Sequence, residues 1–75
     1  MSAYRMAKDV VTATVQEVLP RFGLAYLLDD GERCWAVTRS MQGSGLDDLE
    51  PGQRVQLTID HHDGFSVVSA YDRMM

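Results

Sequence analysis

The sequence predicts an all-β fold, a small five-stranded antiparallel barrel, on three observations. Apolar and polar residues alternate with the strand period of two over residues 10–19 and again over residues 54–60. Gly, Pro and Asp cut the chain into short segments, at Pro20 and Gly23, Asp29-Asp30-Gly31, Pro51-Gly52 and Asp63-Gly64. No segment carries a sustained helical period. Closing the sheet into a barrel removes the unpaired edges that a short antiparallel chain would otherwise expose.

Composition bounds the rest. A chain of 75 residues makes one domain, close to the lower limit for a core without staples. Hydrophobic content of 45% and charged content of 24% are ordinary for a globular domain. There is no run of about 18 apolar residues and no leader pattern, so the expected location is cytoplasmic, with no membrane partner. The single cysteine, Cys34, forms no internal disulfide. Net charge is −4. That balance counts against strong, non-specific binding of phosphate backbones but leaves weak binding through base stacking open.

Taken in order, residues 1–9 show no period and form a flexible lead-in, ahead of a domain over residues 10–71 and a frayed tail over residues 72–75. In the first strand Val11, Ala13 and Val15 face inward, while Thr12, Thr14 and Gln16 face water. Val18 breaks that parity, which predicts a bulge near Gln16 and Glu17 if it too points inward. Pro20 to Gly23 is a tight connection.

The hairpin over residues 22–37 is the segment around which the chain is organised, with its turn at Asp29-Asp30-Gly31-Glu32. Both of its faces are apolar. Ala25 and Leu27 are expected in the core with Cys34 and Ala36, Cys34 as a small buried hydrophobe. Leu24, Tyr26 and Leu28 then share the outer face with Trp35 and Val37. Tyr26 and Trp35 become a cross-strand aromatic pair, open to a visitor.

A connection over residues 38–52 follows, docked by Met41, Leu46 and Leu49, with a short helical turn at residues 40–42. Val55, Leu57 and Ile59 face inward from the fourth strand, the cleanest in the chain. Residues 61–64 form a turn and residues 65–71 the last strand.

Residues 40–55, SMQGSGLDDLEPGQRV, resemble the bacterial cold-shock domain, a five-stranded OB-fold barrel. Gly23-Leu24-Ala25-Tyr26-Leu27 is similar to that family's first ribonucleoprotein-type motif, and Cys34-Trp35-Ala36-Val37-Thr38 to its second. The resemblance spans residues 13–70 and implies an OB barrel that stacks single-stranded RNA or DNA on aromatics of its first three strands. Glu17, Leu24, Val37, Thr38 and Leu46 stand where the family carries aromatic or imidazole rings, so two of roughly seven platforms remain, each worth about 1–3 kcal/mol.

The expected function is therefore weak, non-catalytic binding of single-stranded RNA or DNA. Tyr26 and Trp35 stack bases, Leu24 and Val37 support them, and Arg21, Arg33 and Arg39 touch backbone. The alternative is a protein-interaction or homodimerising module that reuses the same apolar face. No cofactor or metal is expected. His61-His62-Asp63 reads as a solvated turn, because adjacent turn residues rarely converge on one ion. The Asp29-Asp30 and Asp47-Asp48 pairs read as turn formers. Ser, His and Asp are present, but no nucleophile-elbow or metal-ligand spacing accompanies them, so no enzyme is expected.

Overall fold

The computed structural model describes residues 7–43 and 45–74. The expected lead-in lies outside these residues up to Met6, and Met75 of the expected tail lies outside as well. The chain folds as β1 (Ala7–Leu19), β2 (Leu24–Asp29), β3 (Cys34–Thr38), the two-residue β4 (Gln42–Gly43), β5 (Arg54–His62) and β6 (Phe65–Arg73). The sheet order is β3-β2-β1-β5-β6-β4. All long ladders are antiparallel, and β4 alone runs parallel to β6, with Gln42 opposite Ala70. Because β4 continues from β3, this short parallel bridge draws the two ends of the sheet together. The result is the expected all-β architecture, a curled, partly open barrel of the OB-like kind. No helix among the described residues is long and apolar enough to cross a membrane.

β1 is long enough to serve two neighbours. Its first part pairs with β5 from Ala7 to Thr14, and its second pairs with β2 from Ala13 to Leu19. Between Val15 and Glu17 the register slips, so Gln16 is the extra residue of a bulge. The slip turns Val18 toward the core, as its parity required. Inward residues from β1, β2, β5 and β6 are sealed, among them Val15, Leu27, Val55, Leu57, Ile59 and Tyr71. Burying such side chains stabilises the fold by about 1.5–3 kcal/mol each.

Several boundaries move. β1 begins at Ala7 and β6 continues to Arg73, so residues 7–9 and 72–73 are strand rather than lead-in and tail. The last turn shrinks to Asp63 and Gly64, which makes His61 and His62 strand residues. The helical turn lies at Leu46–Asp48 and not at residues 40–42. Leu46 and Leu49 decide this, since residues three apart on a 3-10 turn share one side. Both are buried and belong to the core cluster.

The largest departure is in the central hairpin. Leu27 stands opposite Trp35, Tyr26 opposite Ala36, and Ala25 opposite Val37. Directly opposed residues share a face. Trp35 and Val37 therefore belong with the core, while Cys34 and Ala36 join Tyr26 outside. Val37 is fully buried, Trp35 packs on the core, and Cys34 is exposed.

The turn causes the inversion. Three residues, Asp30, Gly31 and Glu32, lie between Asp29 and Arg33, whose backbones close the loop at 2.9 Å. Glu32 adopts φ 66, the left-handed residue that follows a tight turn in three-residue hairpin loops. A two-residue turn at Asp30-Gly31 would have opposed Tyr26 to Trp35. One residue more moves every side chain of β3 to the other face.

Candidate binding face

Asp29 is the residue that fixes this hairpin. One carboxylate oxygen accepts the backbone N–H groups of Gly31 at 2.8 Å and Arg33 at 2.9 Å. The other accepts the indole N–H of Trp35 at 2.9 Å. The Trp35 indole, then the Arg33 amide, hold the Asp29 carboxyl below its ordinary range, against a smaller opposing effect of burial. The Arg33 guanidinium lies 5.7 Å from the Trp35 ring centre, within cation–π range. Trp35, Arg33 and Asp29 thus form one structural unit at the hairpin end.

The outer face is built from what remains. Leu24, Tyr26 and Leu28 alternate with the buried Ala25 and Leu27 along β2, so all three point away from the core. Tyr26 keeps 43% of its surface exposed. On β1 it is flanked by Glu17, and on β3 by Ala36. Phe22 sits in the 3-10 turn Pro20–Phe22 that leads into β2 and is 76% exposed. The sequence held a signal for it, an aromatic wedged between Arg21 and Gly23 in a connection with no core side. Gly23 at φ 63 ends that turn, and Arg39 packs over it.

Of the expected residues, the structure brings Leu24 and Tyr26 onto one face and places Trp35 and Val37 on the other. The expected cross-strand aromatic pair is absent, because the hairpin register separates its members. The arginines are also divided. Arg39 donates to the Pro20 carbonyl at 3.0 Å and to Asp47 at 2.9 Å, beside the 3-10 turn that holds Arg21. Arg33 is at the opposite end of β3, over Trp35. Arg54 points outward from β5 and grips Asp30 through two hydrogen bonds, at 2.9 and 3.1 Å. Arg21 is exposed and meets no carboxylate among the described residues.

Two further arrangements were not legible in the sequence. The rings of His62 and Phe65 stack at 4.7 Å and 15° across the β5–β6 turn. His61 bonds Asp9 and Ser66, each at 2.7 Å. Neither histidine is a solvated turn residue.

No family model matches this chain, and no curated protein matches it. Among solved structures it is similar to apo-CusF, residues 6–88, from Escherichia coli, with a TM-score of 0.67 at 12% identity over 100% of this chain and 96% of that one. At that identity the likeness concerns the fold, a small OB-like β-barrel.

Proposed function

We propose that the chain binds single-stranded RNA or DNA weakly, by stacking bases along β2. The observation that supports this reading is the exposure of two rings close in the chain, Phe22 in the turn before β2 and Tyr26 on β2, with the half-buried Leu24 between them in sequence. The rings occupy the second strand and the first connecting loop, where OB barrels commonly take oligonucleotides. Fold analogy and the cold-shock likeness of the sequence add to this support. Arg21, beside Phe22, is the cation with freedom to meet a phosphate. Trp35 and Val37 act from beneath, by holding β3 against the core. A cytoplasmic setting goes with this reading.

An oligonucleotide titration followed by amide shifts tests it. Shifts should cluster at Phe22 to Leu28, and Tyr26→Ala should weaken binding by about 5- to 150-fold, the range for one stacked base. With few phosphates neutralised, affinity should fall only shallowly with salt, a log–log slope near −1 for single strands. No shifts at millimolar oligonucleotide would remove nucleic acid from the account.

A second reading, a protein-docking or homodimerising surface, is favoured by the carboxylate of Glu17 next to Tyr26 and by the engagement of Arg39 and Arg54 with acids. It predicts silence in the oligonucleotide titration and concentration-dependent sedimentation that Tyr26→Ala abolishes.

A further inference from the structure

β1, β5 and β6 run side by side beyond the reach of β2. Near that far end His61 stands opposite Ser66 across the β5–β6 ladder, on the face that carries Ile59 and Val68 further along. Asp9, on β1, reaches the same imidazole from its other side. Three side chains from three strands are thereby joined, Ser66 Oγ to His61 Nδ1 at 2.7 Å and His61 Nε2 to Asp9 Oδ2 at 2.7 Å.

In the neutral imidazole, donor counting sets the roles. A carboxylate only accepts, so Nε2 carries the ring proton of the neutral imidazole. Nδ1 then holds the lone pair, and the Ser66 hydroxyl donates to it. A hydroxyl aimed at a base that is itself oriented by an acid is the arrangement that activates serine nucleophiles. The sequence concealed it, because the three residues are separated by 52 and 5 positions and meet only through strand pairing.

We propose that Ser66 is an activated nucleophile that takes acyl groups from activated carboxylic esters, with His61 as its base and Asp9 as the positioning residue. Ser66 Oγ attacks the ester carbonyl carbon, and its proton passes to His61 Nδ1. The bond to the leaving phenolate breaks, the phenolate takes the electron pair, and the proton on Nδ1 is released to it or to water. Acyl-Ser66 and neutral imidazole remain. The site is open: the side chains of His61 and Asp9 are 33% and 65% exposed. Among the described residues no dry, preorganised enclosure stabilises the oxyanion, in either acylation or its reversal. The expected outcome is therefore a retained label rather than rapid turnover.

The protein supplies its own controls. Ser40 shares a hydrogen bond with Thr38, and Ser69 lies against the Thr58 carbonyl and the Asp60 carboxylate, so neither faces an imidazole. The full chain is incubated with p-nitrophenyl acetate at neutral pH, and acetylated peptides are quantified by mass spectrometry. Ser66 should be acetylated about tenfold or more faster than Ser40 and Ser69, a modest share of what a positioned base can contribute. His61→Gln should bring Ser66 down to the rate of those two serines, and Asp9→Asn should lower it severalfold while circular dichroism stays unchanged. Equal labelling of the three serines in the unaltered chain would overturn the proposal, even if a variant failed to fold. Undiminished labelling of Ser66 in folded His61→Gln would overturn it too.

Discussion

β5 and β3 lie in one sheet and each turns apolar residues to the core, yet only β5 states in its sequence which way it faces. In Arg54–His62 the polar residues Arg54, Gln56 and Thr58 alternate with Val55, Leu57 and Ile59, and the structure seals the second set. In Cys34–Thr38 both parities are apolar until Thr38. Neither face of β3 is chemically excluded from the core, so the decision passes to the turn. Asp30, Gly31 and Glu32 make it by their number. A strand with one polar face carries its own orientation, whereas one apolar on both faces inherits it from its connection.

Shortening the turn should break this difference most severely. Deletion of Glu32 leaves a two-residue loop and would carry Trp35 and Val37 outward, forfeiting about 3–6 kcal/mol of burial. Urea unfolding should show a molecule barely folded or unfolded, whereas a deletion that left stability intact would refute the register argument. Next in size is a paired substitution. Val37→Asp places an unpaired charge in the core and should cost about 3–5 kcal/mol, while Ala36→Asp, on the outer face, should change stability by about 0.5 kcal/mol or less. The opposite ranking would restore the orientation expected from sequence.

Asp29→Ala should cost about 1–2 kcal/mol through the loss of the contacts that fix the loop. The same residue gives a pH signature. Its folded carboxyl titrates below its ordinary range, so its stabilisation is full above the unfolded value and is lost as pH falls through the lowered folded value. The acid limb of a stability–pH curve should accordingly be flatter in Asp29→Asn than in the unaltered chain. An identical limb in both would exclude this role.

Two smaller effects concern the same turn and strand. Glu32→Gly relieves a left-handed conformation that is costly for an L-residue, partly offset by glycine's chain entropy, and should add about 0.5 kcal/mol. A marked loss of stability would mean that the Glu32 side chain, rather than its conformation, matters. Cys34 should react with a thiol reagent in the folded state at a rate close to that of a small free thiol. Protection until unfolding would place it inside after all.

The candidate face was half legible. Leu24 and Tyr26 face outward as their parity against Ala25 and Leu27 predicts. Trp35 gives no such signal, since a tryptophan in a two-faced strand looks the same from either side. Its indole N–H finds Asp29, six residues back, only in the three-residue loop register. Phe22, a turn aromatic, has no strand parity to read.

By itself the sequence determined the all-β class, the inward sets of β1 and β5, the bulge that turns Val18 inward, and the docking of Leu46 and Leu49. Each follows from local chemistry, a period of two or a residue that must leave water. Only the tertiary structure decided the face of β3, the pairing of Arg54 with Asp30, and the meeting of Asp9, His61 and Ser66. Those depend on strand register, and register is a sum over loop lengths and ladders that no short segment contains.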